Sequence, residues 1–440
     1  MRETLVKTEE FKDSPVGRIP KDWEVFKLSE VVPRAEYGIS VSLDDEVGIP
    51  VLRMNNLKNG EVDLTDLKKS ASFKAASLLL QPLDVLFNRT NSIEHVGRTA
   101  IWRGQIKQAS FASYLVRLIP EPSKLIPEYL NIWLNFPSTQ LLIRRYATPG
   151  VHQVNINPTN LRKVLIALPK EVSEQRRIVE ILGSMDETIA HTSSLIAKLK
   201  QMKAGLLHDL LTRGLDENGE LRDAIGHPEQ FKDSPLGQIP KDWEVKSLAE
   251  ISRQITDGVH ATPNYTSAGI PFISVNNLVG NCISFDSCQF ISEAEHEILI
   301  QRCHPEQGDI LLGKVATLGV VDVVLTDRKF SIFVQVALVK LKAGLIPKFI
   351  KYSITHQYLQ DQIQQKASGT TIRYIGVEMI GKLLVKVPSK KEQESIAAIL
   401  DTHDARICTE EAYRDKLKLQ KQGLMHDLLT GKVRVKNAWI

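Results

Sequence analysis

The stretch FKDSPVGRIPKDWEV at Phe11–Val25 returns as FKDSPLGQIPKDWEV at Phe231–Val245, and GLLHDLLT at Gly205–Thr212 returns as GLMHDLLT at Gly423–Thr430. Both ends of each half repeat in the same order, so the chain is a tandem duplication. A period of about 220 residues is far too long for a solenoid, and each copy is expected to be a whole domain plus its connector. Internal landmarks keep the same register. Gly48-Ile49-Pro50 with Asn55-Asn56-Leu57 answers Gly269-Ile270-Pro271 with Asn276-Asn277-Leu278. Leu125-Ile126-Pro127 answers Leu345-Ile346-Pro347, each opening a helix with proline in its first turn.

Each copy begins with short apolar runs between Gly, Pro and Asn turns, which reads as strands and loops. Val51-Leu52, Asp84–Phe87 and Tyr114–Val116 are the strands of the first copy; Ile270–Val275, Asp309–Leu312 and Ile332–Val339 are those of the second. Val164–Pro169 and Leu383–Pro388 close the two blocks. A proline-free stretch follows each. In the first, Ile178, Leu182, Met185, Ile189, Ile196 and Leu199 hold the 4-3 spacing of a heptad seam, with Thr192 filling one gap. In the second, Ile396, Leu400 and Ile407 start the same seam. His403, Glu410 and Arg414 interrupt it before Leu417, Leu424 and Leu428. Each helix would run close to 40 residues, or about 60 Å. A lone helix with an apolar stripe needs a partner, and its own duplicate is the nearest.

The expected plan is a first block over 1–170 with an opening segment at 11–31, a long helix over 171–213 and a polar linker over 214–230. A second block over 231–388 follows, with its opening segment at 231–251, then a second helix over 389–431 and an unassigned tail over 432–440. This is an α+β architecture: two globular mixed α/β domains separated by two long antiparallel coiled-coil helices, with internal pseudo-two-fold symmetry. Trp23 and Trp243, flanked by prolines in the repeated segments, read as structural anchors. Identical residues do not account for recognition of two different targets.

Composition narrows the class. With 42% hydrophobic and 25% charged residues the chain is ordinary and globular, and its net charge of +4 permits nucleic acid without demanding it. The opening MRETLVKTEE is charged, which argues against a secretory leader, and no apolar run approaches the roughly 18 residues of a membrane span. Cys282, Cys288, Cys303 and Cys408 all lie in the second copy, so the copies share no disulfide framework. A cytoplasmic, reducing location is the expectation.

Two similar but diverged surfaces on one frame match a bipartite site on B-DNA, whose half-sites recur about 34–36 Å apart per helical turn. The side chains to read it should be polar loop residues that vary between copies. In the first block these are Arg53, Asn55, Asn56, Arg89, Asn91, His152, Gln153 and Asn155; in the second, His260, Thr262, Asn276, Asn277, Lys314, Thr370, Thr371 and Arg373. Arginine suits guanine acceptors, and Asn or Gln the adenine edge. Arg144 and Arg145 suit phosphates. Asn55 and Asn276 also suit turns, because both copies keep them.

The repeated FKDSPxGxIPKDWEV segments, GDILLGK at Gly308–Lys314 and the paired EQ…GLxHDLLT helices resemble the specificity subunit of type I restriction–modification enzymes over Phe11 to about Arg434. The resemblance implies that the blocks are target recognition domains and that the helices act as a ruler and docking site. The implied partners are double-stranded DNA, two methyltransferase (modification) subunits and two ATP-dependent restriction subunits. It also implies that this chain is not an enzyme and carries no cofactor, with S-adenosylmethionine, ATP and Mg2+ belonging to those partners. The first copy departs from the second in having Leu83-Asp84-Val85-Leu86 for Gly308-Asp309-Ile310-Leu311, and the DGVHATP loop at Asp257–Pro263 has no clear equivalent near Glu36–Leu43.

Enzyme signatures are missing. Asn157-Pro158-Thr159-Asn160 lacks the second proline and the aromatic of a methyltransferase motif, and no GxGxxG or GxxxxGK[ST] cradle occurs. Glu244-Val245-Lys246 is a nuclease-like triplet whose duplicate is Glu24-Val25-Phe26, and the cysteines lack paired metal spacing. His208-Asp209 and His426-Asp427 lie near helix ends, where imidazole matches the dipole. Two rivals stand beside the DNA reader: a coiled-coil scaffold with protein-binding end domains, and the specificity partner of a fused restriction–methylation enzyme.

Overall fold

The computed structural model describes residues 3–43, 45–150, 153–280 and 282–437. It divides into two compact units, Met1–Ser193 with Ala412–Ile440, and Ser194–Glu411. The division cuts through both long helices, Val172–Thr212 and Lys390–Leu429. Neither helix is therefore a body of its own, as the plan of separate helical domains would have it. Each half-helix packs its apolar stripe on a globular block.

In the first unit the expected apolar runs are strands. A six-stranded sheet runs in the order Arg34–Tyr37, Leu115–Ile119, Val85–Asn88, Thr99–Ile101, Gly60–Val62, Leu57–Lys58. Its central strand Val85–Asn88 is buried throughout. Helix Pro127–Asn135, with proline in its first turn, buries Tyr129, Leu130 and Leu134 in the same core. Ile178 and Leu182 of the first long helix and Leu428 of the second complete it; each such side chain contributes about 1.5–3 kcal/mol when fully buried. Met185, Ile189 and Leu424 are half-buried and Leu417 is buried.

The second unit repeats the plan. Ser252–Asp257, Val336–Leu341, Ile310–Gly313 and Val321–Val323 form its main sheet, and Pro347–Thr355 its covering helix. The run Ile332–Val339 is not one strand: it breaks at Phe333–Gln335 between Ser331–Ile332 and Val336–Leu341. Ile396 and Leu400 join the core, and Ile196, Leu199, Ile407 and Thr192 are buried along the seam. Lys203 pairs with Asp404 at 2.5 Å and Lys200 with Glu411 at 2.6 Å. Numbers rise on one helix as they fall on the other, so these segments are antiparallel. His403, at an interrupting position of the second seam, is half-buried.

Each repeated opening segment is latched to a long helix by the same four groups. In the second unit Arg222 pairs with Glu392 at 2.7 Å and Asp242 at 3.0 Å, while buried Trp243 donates its Nε1–H to Glu392 at 3.1 Å. In the first, Arg434 pairs with Glu174 at 2.5 Å and Asp22 at 2.7 Å and lies 5.8 Å from the ring of buried Trp23. The neighbouring glutamines accept the N–H that opens each covering helix: Ile126 to Gln175 at 3.1 Å, Ile346 to Gln393 at 3.0 Å. Gly214 and Gly431 end the helices at φ +67° and +70°, and a Cβ at Gly214 would stand 2.6 Å from Trp243. Glycine alone satisfies both demands.

Two expectations change here. The stretch 214–230 is no slack linker, because Leu215 is buried and bridges Leu221, and Arg222 is the latch. The tail is a strand: Val433–Asn437 pairs antiparallel with Glu3–Lys7, Val435 opposite Leu5. What the interior connection does for the second unit, the two chain ends do for the first.

Candidate nucleic-acid interface

The central strand of each main sheet ends in a cation held by backbone on both sides. Arg89 N–H donates to Tyr114 O at 3.0 Å, and Ile156 N–H donates to Arg89 O at 2.8 Å. Lys314 N–H donates to Gln335 O at 2.9 Å, and Ile375 N–H donates to Lys314 O at 2.9 Å. A neighbouring strand exit completes each junction, with Gly38 N–H on Leu115 O at 3.2 Å and Gly258 N–H on Val336 O at 3.3 Å. Tyr37 thus occupies the address of Asp257, and the loop after Asp257 does have an equivalent, at Tyr37–Ile39. Sequence comparison misses it because only the glycine and the backbone bonds are shared.

On this common junction the side chains diverge. In the first block Arg89 stacks 5.2 Å from the ring centre of Tyr37 and donates Nη1–H to Ser113 O at 3.3 Å. Asn91 and Asn155 share a small sheet with 148–149, and Asn155 Nδ2 donates to Thr90 Oγ1 at 3.1 Å. Gln153 is exposed in that hairpin. His152 lies outside the described residues.

In the second block Asp257 is buried and gathers two cations and an imidazole: Lys314 at 2.8 Å, Arg302 at 2.7 Å and His260 at 3.3 Å. Burial opposes its ionisation, but the hydrogen bond and charge of Lys314, aided by His260, outweigh it and hold the carboxyl below its usual range. Lys314 is itself nearly enclosed, so this candidate contact is spent on Asp257, and His260 and Arg302 are the exposed members. Arg302 was not foreseeable from its local sequence; the fold brings it in from 45 positions away. Thr370 and Thr371 are exposed in the hairpin beside the junction, where Arg373 is tied to Gln364 at 2.6 Å. Thr262 is exposed farther along the Asp257 loop.

The paired asparagines separate into two roles. Asn56 and Asn277 are buried, and their Oδ1 atoms accept N–H bonds from Arg53 at 2.8 Å and Ser274 at 3.0 Å. Asn56 Nδ2 donates to Asp63 O and Asp66 O, both at 2.9 Å. Both residues hold a turn and are not offered to a ligand, which corrects their place among the contacts. Asn55 and Asn276 are exposed. Arg53 is held by Asp66 at 2.7 Å, as is Asn55 Nδ2 at 3.0 Å.

Arg144 is not at the junction. It donates to Glu94 O at 3.1 Å and lines a separate cleft of about 660 Å³ in the first unit, with Arg98, Glu128 and Asp186. Arg145 is exposed at the end of its helix. Among the described residues no group of three or more His, Cys, Asp or Glu is placed to hold a metal, and no helix is long and apolar enough to cross a membrane.

The sequence profile of the type I restriction modification DNA specificity domain matches the chain twice, over residues 20–201 and 240–419. The chain is 27% identical to a Methanocaldococcus jannaschii protein described as the specificity subunit of the MjaX type I restriction enzyme, over 98% of each chain. Among solved structures, the S subunit of a type I restriction–modification system from M. genitalium aligns with a TM-score of 0.56 at 16% identity, over 92% of this chain and 96% of that one. A chain from a structure addressing assembly and conformational transition of the type I R-M system aligns at 0.55 and 17%, over 94% and 99%.

Proposed function

The chain belongs to the family of type I restriction–modification DNA specificity domains, and from that membership we propose that it is the sequence-reading subunit of such a complex, each block reading one half of a bipartite, asymmetric DNA target. One observation carries the reading: the junction keeps its backbone bonds in both blocks while its side chains change, Tyr37 and Arg89 in one, Asp257 and Lys314 in the other. A shared frame that carries different side chains, with His260 and Arg302 as the exposed members around Asp257, is what two different half-sites require.

In this reading the exposed faces of the two long helices dock methyltransferase subunits, and those in turn work with ATP-dependent restriction subunits. S-adenosylmethionine, ATP and Mg2+ belong to the partners, and this chain contributes recognition and assembly. Purification with co-expressed partners separates a system of distinct methylating and translocating subunits from one with a single fused chain.

The deciding experiment exchanges residues 45–165 for those of a relative and maps adenine methylation in a host expressing the complex. One half of the methylated motif should change and the other should stay. A motif unchanged in both halves would sink the DNA-reading function and favour the protein scaffold.

A further inference from the structure

We propose that Arg89 reads a guanine in the half-site of the first block, through the two acceptors on that base's major-groove edge; the proposal rests on the DNA-reading function above and names the side chain and the base. Four features of Arg89 single it out.

It sits at the end of the buried strand Val85–Asn88 and not on a loop tip, and both its N–H and its C=O are bonded to neighbouring segments. Its Cα is therefore held as firmly as the core. The guanidinium lies over the Tyr37 ring, 5.2 Å from its centre, and that ring is itself half exposed. In this position Nε is enclosed without a partner, Nη1 leans on Ser113 O, and Nη2 is the donor left open.

The donors are also unspent. Arg53, Arg103 and Arg117 are each paired with carboxylates, on Asp66, Glu61 and Asp84 respectively. Among the described residues Arg89 has no ion pair, and its one hydrogen bond is a 3.3 Å contact from Nη1 to Ser113 O. Exposed Arg145 makes no side-chain bond among the described residues, and no ring lies against it there, which suits a phosphate. A guanidinium over an aromatic ring, with no carboxylate on its Nη donors, suits guanine O6 and N7.

Finally, the same address in the second block is built to a different end. Lys314 is neutralised by Asp257 at 2.8 Å and is almost enclosed. The second half-site accordingly has no guanine contact at this position, and the two halves of the target differ there.

The test uses the full chain with its methylating partners and compares the wild type with Arg89→Ala and Arg89→Gln, by methylome mapping and by binding to target variants at several salt concentrations. Wild type should show a guanine in the first half-site. Arg89→Ala should lose preference at that one position by roughly ten- to a hundredfold, with the second half-site unchanged. Arg89→Gln, which keeps length and a planar end, should move the preference from guanine toward adenine. The proposal is overturned by a first half-site without guanine, or by an unchanged motif in both variants. It is equally overturned if binding weakens evenly for all sequences and the salt slope falls by about one, the mark of a phosphate contact. Should Arg89→Ala fail to fold, Arg89→Gln decides. A wild type that methylates no bipartite motif would defeat the DNA-reading function itself, a result distinct from any of these.

Discussion

Leu83 holds φ at +73°, in the left-handed region that a side chain with a Cβ enters at a cost of about 1–2 kcal/mol. The turn Gln81–Asp84 that imposes it is closed by Asp84 N–H on Gln81 O at 3.0 Å, and the second unit has the same turn, Glu306–Asp309, closed at 3.0 Å. There the third position is Gly308, at φ +91°. The difference that separates LDVL from GDIL in sequence is thus a difference in strain and not in fold. Leu83 is 39% exposed, so little packing is lost with its side chain. Leu83→Gly should stabilise the first unit by about 0.5–1 kcal/mol after the entropy of the new glycine is allowed for. Urea unfolding measures this, and a lowered midpoint would contradict it. Asn56 and Asn277 make the complementary point. A polar residue kept in both copies looked like a contact and is a turn brace, because its buried amide satisfies backbone groups of its own loop.

The ends of the long helices differ in chemistry between the two units. His426 of one GLxHDLLT segment lies 6.0 Å from the Phe136 ring, whereas His208 of the other stacks 5.5 Å from His356. Buried Lys386 stands nearby, donating to Leu211 O at 3.2 Å with the Tyr358 ring 5.0 Å away. Burial, His208 and Lys386 together push His356 down to about 4, and burial brings Lys386 to about 8. Between pH 6.5 and 4 the unfolded chain binds a proton at His356 that the folded one does not, so stability falls as pH drops through that window. Between pH 7 and pH 5 the loss is about 2 kcal/mol. In the variant His356→Phe, which copies the first unit's own solution, the second unit should lose less stability between pH 7 and pH 5 than the wild type does. Thermal unfolding at the two pH values reads the difference, and parallel losses would exclude His356 as the source. The helices themselves were predictable within a residue or two, since a proline-free heptad seam needs only local spacing.

At the scale of the molecule, one unit is a continuous stretch and the other is assembled from both chain ends. Arg222 reaches Glu392 by a connection inside the chain, while Arg434 reaches Glu174 from the far end of it. Removing residues 433–440 takes away the strand opposite Glu3–Lys7 and the cation shared by Glu174 and Asp22. Glu174 is then left buried without its partner, which costs about 3–5 kcal/mol. The truncated chain should show faster amide exchange around Leu5–Lys7 and Trp23, with 194–411 unchanged. Equal protection in both forms would mean that the tail is not a latch.

The repeat, the strand-and-turn texture of each block, the proline-opened helices and the heptad seams all rest on spacings of a few residues, and each could be read along the chain. Family membership followed from the same short motifs. Contacts between residues far apart in sequence could not be. Nothing near Tyr37 announces that Arg89 lies on its ring, and nothing near Asp257 announces Arg302 or Lys314. The tail was opaque for the same reason, as its partner strand lies more than 400 residues away. Local physics chose the elements, because helix and strand periodicity act within one or two turns. Which side chains meet at the ends of those strands was set when distant segments packed, because those contacts join residues far apart along the chain.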